Sequence, residues 1–231
     1  MKPNADKTKV ITFSRKTNYL IYEYKLLHFT ITRTYSVKDL GVYLDSKLHF
    51  HDHVNFTFSQ CIKMLGIIRS ITFNYSTLGC MFILYFTLVR SKVEYVSVVW
   101  NSITSTDANK SEHIQQKFTA LCFKRSFPQV DHCYNFALEQ LKLHTLHKRR
   151  YHLNAFFLIQ VYRGSVLCPS ALEIVGLRVP LLYIRDFHMF NVCSVSKNCP
   201  SARCASAANV VCRDVGLLWT KNSVETYLIL N

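Results

Sequence analysis

The acidic side chains of this chain are few and scattered, which argues against the commonest chemistry of nucleotide transfer. The sequence has 14 aspartates and glutamates among 231 residues, and no two of them are adjacent. Two-metal phosphoryl transfer needs carboxylates that converge on ions about 4 Å apart. The motifs GxSxG, GxxxxGK[ST] and HExxH are also missing. We therefore expect no catalytic carboxylate, no metal ion and no cofactor in this chain.

Histidines and cysteines are the other side chains that could hold a metal ion. His49, His51 and His53 alternate in "HFHDHV", a spacing that does not put them on one face of a helix. On a strand, they would need a further ligand from elsewhere. The nine cysteines form no CxxC pair, and those after Cys193 are loosely spaced. We expect histidines that are solvated or face phosphate, and reduced, mostly buried thiols instead of a zinc site.

The positive charge of the chain is its strongest indication of a partner. Lysine and arginine number 28 against 14 acids, which gives a net charge of +14. Such a surface attracts polyanions, because neutralised phosphates release condensed counterions. A basic soluble protein without a nucleic-acid partner is the alternative. From position and charge, six residues are predicted to contact phosphate: Lys63, Arg69, Lys117, Lys124, Arg149 and Arg150.

The elements that must position these residues begin with a β-rich segment. The runs "KVITFS" (Lys9–Ser14) and "DLGVYL" (Asp39–Leu44) are predicted strands, and 19–37 has the β-branched and aromatic residues of a hairpin. Gly41 inside "DLGVYL" indicates a bulge or a close approach of backbone.

The periodicity then changes to that of helices. From His51 onwards, apolar residues recur on one helical face, and four further helices are predicted at Ser76–Trp100, Asp107–Arg125, Tyr134–Leu141 and Thr145–Tyr162. The segment "RVPLLYIRDFHMFNV" is predicted to be strand or irregular. The fold class is therefore α+β and predominantly helical, with a β part at 1–50, a helical part at 51–165 and a poorly defined segment at 166–231.

The longest apolar run, Leu78–Val89, bears on the cellular compartment. It is shorter than the roughly 20 residues that span a bilayer, so a buried core helix is predicted there. The polar first 20 residues contain no secretory h-region. We expect no membrane partner and an intracellular location, in the nucleus or the cytoplasm.

Six segments in order resemble one family. "NADKTKVITFS" contains Asn4, Lys7, Thr8 and Phe13, and "VKDLGVYLDSKLHFHDHV" contains a Leu-Gly-Val-x-Leu-Asp pattern followed by Leu-x-Phe-x-x-His. "LVRSKVEYVSVVWN", "EHIQQKFTALCFKR" and "LEQLKLHTLHKRRYH" follow them, and "RCASAANVV" extends the likeness more weakly. The first five segments, over 4–163, resemble the end of the reverse transcriptase of a non-LTR retrotransposon, a LINE element closest to the jockey-like group.

The resemblance implies roles for particular residues. Leu40 and Gly41 would belong to the primer grip, a hairpin at the base of the palm that holds the primer end. Gly41 would let the backbone approach nucleic acid, although a plain bulge is the alternative. The helices that follow would form the thumb, which rides on the primer–template duplex through phosphates. Lys7 matches a lysine near the incoming nucleotide and is a possible auxiliary catalytic residue, with a solvated lysine as the alternative.

The same resemblance limits the expected activity. In the family, the fingers and the palm strand with its aspartate pair precede the first of these segments. The chain is therefore expected to be a truncated fragment that lacks catalytic aspartates, while its parent polymerase would need Mg²⁺. Expected partners are an RNA/DNA primer–template duplex and the rest of a retrotransposon polymerase. A basic helical adaptor without enzymatic role and a relic without function are the alternatives.

Overall fold

A small β region precedes a helical body in this protein. The computed structural model describes residues 7–14, 16, 21–26, 28–74, 77–129 and 133–176, together with residues 190, 206, 208 and 209. Within these residues, most of the chain is helical and the strands are short. The predicted α+β, predominantly helical class is confirmed. Apart from Phe190, the segment predicted as strand or irregular at 178–192 lies outside the described residues.

The described strands form three separate two-stranded sheets. Their bounds are β1 Lys9–Val10, β2 Lys25–Leu26, β3 Phe29–Thr30, β4 Thr32–Arg33, β5 Ser36–Asp39 and β6 Val42–Asp45. β1 pairs with β4 in parallel, whereas β2–β3 and β5–β6 are antiparallel pairs. The expected hairpin within 19–37 is present as β2–β3, while the strand predicted at Lys9–Ser14 is only two residues long.

Gly41 lies in a turn, which corrects the prediction of a strand bulge at this position. In β5–β6, Asp39 pairs with Val42, so Leu40 and Gly41 are the two residues of the connecting turn. Both have positive φ, 44° and 86°, which is the pattern of a type I′ turn. Within "DLGVYL", Leu40 and Gly41 therefore form the turn, and the following residues belong to β6. A type I′ turn is favoured here because its backbone twist matches that of the flanking strands.

Eight helices follow in the described chain. They are α1 His51–Ile71, α2 Leu78–Tyr85, α3 Ser91–Glu94, α4 Ser97–Trp100, α5 Ser105–Ser126, α6 Tyr134–Gln140, α7 Leu146–Tyr162 and α8 Pro169–Val175. Thr104 and Thr145 cap α5 and α7 by accepting hydrogen bonds from the backbone N–H groups of Asp107 and Lys148. α1, α5, α6 and α7 agree with the predicted helices to within a few residues.

The helix predicted at Ser76–Trp100 is broken, and this prediction was wrong in its continuity. A π-helical turn at Phe86–Arg90 joins α2 to α3, and Val96 then takes a left-handed conformation with φ 49°. The indole nitrogen of Trp100 donates to the carbonyl of Tyr95 at 2.8 Å, across the break. The break changes the direction of the chain, so Trp100 packs in a different part of the core from α2 and α3.

α1 contributes to two hydrophobic clusters among the described residues. Trp100 and Val54 pack with Val42, Phe50 and Ile103, so this smaller cluster joins the β5–β6 hairpin to the helices. The larger cluster lies among α1, α2, the π-helical turn, α3, α5 and α6, with residues from just before α7 and from its first turn. Its buried members are Cys61, Leu65, Ile68, Met81, Tyr85, Val89, Val93, Ile114, Phe118, Cys122, Leu138, Leu143 and Leu146. Among the described helices, none combines the length and apolarity needed to cross a bilayer.

Candidate nucleic-acid interface

The tip of the β5–β6 hairpin is exposed but held in place. Leu40 is 84% exposed, and its backbone carbonyl accepts a hydrogen bond of 3.0 Å from the hydroxyl of Tyr95. A Cβ on Gly41 would lie 3.4 Å from Cε1 of Tyr95. The two residues predicted for a primer grip therefore form a protruding turn that Tyr95 supports from beneath.

Asp45 organises the passage from the hairpin into α1. Its carboxylate accepts backbone N–H groups from Lys47 at 3.3 Å, His49 at 3.1 Å and Phe50 at 2.8 Å. Burial would raise the pKa of Asp45, but these hydrogen bonds outweigh it and lower the pKa. Phe50 starts the helix in a left-handed conformation with φ 59°, which the carboxylate stabilises. The acid that ends the strand is thus a structural residue.

α1 and α5 run side by side in the same direction. Lys110 contacts Asn55, the ring of His113 stacks on Phe58 with centroids 6.4 Å apart, and Arg125 reaches the end of α1. Between their later turns lies an open groove of about 690 Å³, which we call the α1/α5 groove. Its lining residues are Ile62, Leu65, Gly66, Arg69, Phe73, Lys117, Ala120, Leu121, Lys124 and Arg125.

Three of the predicted phosphate-contacting residues meet at the α1/α5 groove. Arg69 is on the α1 side, and Lys117 and Lys124 are on the α5 side, all exposed. The ion pairs found in the described part of the chain involve His51, Arg90 and Arg149. No described acid forms an ion pair with the three groove cations, so their charge is available to an anion.

Arg125 is a groove residue that the sequence pattern did not single out. Its guanidinium donates to the carbonyls of Thr72 at 2.7 Å and Arg69 at 2.9 Å, and to the Thr72 hydroxyl. These bonds satisfy free carbonyls at the C-terminus of α1. Arg125 thereby fixes the end of α1 against α5 and adds a positive charge to the groove. Its place at the basic end of "CFKRS" is the signal that sequence reasoning had available.

Lys63 and Lys7 are exposed, but neither lines the groove. Lys63 lies on α1, one residue after the groove residue Ile62. Lys7 lies at the start of the described chain, before β1.

Arg149 is engaged in an ion pair, so it differs from the free phosphate-contacting residue of the prediction. Its Nε and Nη2 donate to the two carboxylate oxygens of Glu94, the second at 2.9 Å, and Arg90 donates to the same carboxylate at 2.9 Å. Burial opposes ionisation of Glu94, but both arginines hold the pKa of that carboxyl below its usual range. The arrangement ties α3 to α7.

Arg150 is buried, 2% exposed, and therefore does not offer a surface for phosphate. Its guanidinium carbon lies 6.0 Å from the ring centre of Trp100. Nε and Nη1 have no hydrogen-bond partner, and desolvation lowers the pKa of Arg150 while Glu112 and Glu94 oppose that shift. The run "HKRR" thus begins a helix in which one arginine pairs with Glu94 and the next enters the core.

The alternating histidines occupy three different environments. His49 is exposed, and His51 contacts the carboxylate of Asp107 at 2.9 Å. His53 is only 4% exposed and lies 5.4 Å from the ring of Trp100, so the expectation of a solvated or phosphate-facing residue is wrong for it. Burial lowers its pKa and keeps it neutral. No cluster of three potential metal ligands occurs among the described residues.

The described cysteines are free, and they divide between core and surface. Burial raises the pKa of Cys61 to about 11 and that of Cys122 to about 12, which makes both thiols unreactive. Cys80 and Cys133 are exposed, and Cys168 is half-buried. The prediction of mostly buried thiols is therefore wrong for the described part of the chain.

The segment "EHIQQKF" has a structural role that its polar residue types did not indicate. Glu112 accepts backbone N–H groups from Leu146 at 3.1 Å and His147 at 3.2 Å, at the N-terminus of α7. Gln115 is fully buried and bonds to the hydroxyl of Tyr85 at 3.1 Å. Both side chains face the core side of α5. The lysine side of the same helix is consequently the side that lines the groove.

Comparison of the chain with protein-family models, with curated proteins and with solved structures gave no match.

Proposed function

We propose that this chain binds a primer–template of RNA and DNA, as a fragment related to the primer grip and thumb of a non-LTR retrotransposon reverse transcriptase. The observation that carries the proposal is the meeting of Arg69, Lys117 and Lys124 at one groove without an acidic partner among the described residues. Cations from two neighbouring helices follow a phosphate backbone through contacts that position it without reading sequence.

The exposed hairpin supports the same proposal. The chain passes directly from the hairpin to the helical body: nine residues separate the turn residue Gly41 from the start of α1 at His51. Asp45 bonds the connecting backbone. The hairpin is the proposed primer grip, and the helical body is the proposed thumb.

The proposal includes no polymerase activity for the chain by itself. The 14 acids are dispersed along the sequence, and a two-metal site needs several carboxylates converging on the ions. The fragment would therefore hold a primer–template, and synthesis would depend on the rest of a polymerase with its Mg²⁺.

Salt-dependent binding tests this proposal. The triple variant Arg69→Gln, Lys117→Gln and Lys124→Gln is expected to lose affinity for a fluorescent RNA–DNA primer–template. Three fewer phosphate contacts should also reduce the slope of log K against log salt by about 3 units or less. The matched control replaces Lys47, Lys92 and Lys148 by Gln, which removes the same charge from exposed sites outside the groove.

Two results would contradict the proposal. One is equal loss of affinity in the groove variant and the control variant, because the groove would then have no special role. The other is template-dependent incorporation of nucleotides by the purified chain with Mg²⁺, because the proposal assigns catalysis to residues outside it.

A basic adaptor for an acidic protein is the second candidate, and the apolar part of the groove favours it. Ile62, Leu65 and Leu121 line the groove beside the cations, a combination that also suits an acidic amphipathic helix. Competition decides between the two: an acidic helical peptide should displace the primer–template at lower concentration than an unlabelled primer–template does if the adaptor function is correct.

A further inference from the structure

The α1/α5 groove has features that a duplex alone does not use. Its floor is apolar, and Phe73 at the end of α1 lines it while remaining 76% exposed. A paired duplex offers a rigid array of phosphates, with the faces of its bases stacked inside. The apolar floor and the aromatic ring make no favourable contact with phosphate groups. They do fit the open face of an unpaired base.

The cations line both sides of the groove. Lys117 and Lys124 are seven residues apart on α5, which is about 10 Å along the helix, and Arg69 faces them from α1. From Ile62 to Phe73 the groove follows α1 for about 16 Å. Basic walls with an apolar and aromatic floor are the combination that sequence-tolerant single-strand binders use.

Gly66 keeps the groove open at its middle. It is exposed on α1, and a Cβ placed on it would meet nothing within 4 Å. No packing inside the protein therefore explains a glycine in the interior of a helix, where glycine is unfavourable. Because Gly66 lines the α1/α5 groove, the open space above its backbone is part of the groove.

We propose that the α1/α5 groove binds unpaired nucleic acid, with a base stacked on Phe73 and with phosphates on Arg69, Lys117 and Lys124. The inference rests on the proposed function, and it specifies the part of the ligand: the single-stranded template beyond the primer end. RNA and DNA strands share this chemistry, so both are included in the test.

The first experiment fills the groove. Gly66→Leu adds a side chain where there is open space, and Gly79→Leu makes the same change on α2, where a Cβ also meets nothing within 4 Å. Both variants replace a helical glycine, so both are expected to melt at or above the wild-type temperature. Only Gly66→Leu should lower the affinity for a primer–template with a single-stranded overhang, about tenfold, to that of a blunt hybrid.

The second experiment removes the aromatic ring. Phe73→Ala should weaken binding of the overhang primer–template and of short oligo(U) and oligo(dT) by about tenfold, and leave a blunt hybrid unaffected. Phe29→Ala is the control, because Phe29 is 62% exposed but lies on β3, outside the groove. Since Phe73 is on the surface, its removal leaves folding intact.

The outcomes separate this inference from the function on which it rests. Equal wild-type affinity for overhang and blunt hybrids would overturn the inference and leave the proposed function standing. So would equal effects of Phe73→Ala on both ligands. No salt-dependent binding to either ligand would overturn both proposals. Displacement of the overhang ligand by an acidic helical peptide, with Gly66→Leu weakening only the peptide, would assign the groove to a protein.

Discussion

At the scale of single residues, charged side chains in this protein divide into those that stabilise its backbone and those that are free. Asp45, Glu94 and Glu112 each accept two or more hydrogen bonds from the protein itself. Arg69, Lys117 and Lys124 make no ion pair with a described acid. Among the described residues, these three cations are exposed and unpaired, whereas the three acids are used within the protein.

Replacing Asp45 by Asn should destabilise the protein by about 1 kcal/mol at neutral pH. The amide offers a single, uncharged acceptor for the three N–H groups. The pKa of Asp45 is lowered in the folded state, so its stabilisation is present above the unfolded value of about 3.9. It is lost as the pH falls through the lower folded value. Urea unfolding of both proteins at a series of pH values measures this difference.

The stability difference between wild type and the Asn variant should therefore shrink as the solution is made more acidic than about pH 4. A difference that stayed constant down to the lowest pH at which both proteins fold would contradict the role given to the carboxylate. Lys47→Gln is the control, because Lys47 contributes only its backbone N–H to Asp45.

At the scale of elements, the β5–β6 hairpin shows a local conflict between sequence and conformation. Both turn residues have positive φ, which Gly41 adopts without strain, whereas Leu40 adopts it at a cost. Asn-Gly is the preferred pair for a type I′ turn. A leucine that is 84% exposed in the strained position fits a contact with a ligand or partner.

Leu40→Asn should stabilise the protein by about 0.5–1 kcal/mol, because asparagine tolerates the left-handed conformation better than leucine. Gly41→Val should destabilise it by about 1–2 kcal/mol, because a β-branched side chain is strained at φ 86°. Thermal unfolding followed by circular dichroism measures both changes. If both variants changed the stability in the same direction, the turn assignment would be wrong.

At the scale of the whole molecule, exposed apolar surface and positive charge have opposite effects on self-association. Tyr22, Phe29 and Tyr35 are 69%, 62% and 71% exposed in the β region, whose described sheets have only two strands each. Unpaired strand edges and exposed aromatic side chains promote association. A charge of +14 opposes it through repulsion between molecules.

We predict that the salt concentration determines whether the protein is monomeric or associates. Sedimentation velocity should detect monomers at low ionic strength and larger species at about 1 M salt, where charges are screened beyond about 3 Å. The triple variant Tyr22→Ser, Phe29→Ser and Tyr35→Ser should remain monomeric at both. The control triple Ile83→Ser, Phe86→Ser and Phe127→Ser removes exposed apolar residues from the helical body. If only the control prevented association, the β region would not be the associating surface.

The sequence by itself determined the class of the fold, most of the helix positions and the excess of positive charge. Apolar periodicity sufficed for α1, α5, α6 and α7, because each helix buries one face and has polar residues on the other. The periodicity of 76–100 did not indicate the break at Val96, because apolar residues continue on both sides of it and only packing of Trp100 requires the turn.

Only the tertiary structure decided which cations are free. Lys124, Arg149 and Arg150 have the same charge in the sequence, yet the first is exposed at a groove, the second is paired with Glu94 and the third is buried beside Trp100. Glu94 and Trp100 lie about fifty residues earlier in the chain than the two arginines. A partner that is distant in sequence leaves no local pattern, so the charge could be predicted from the sequence and its availability could not.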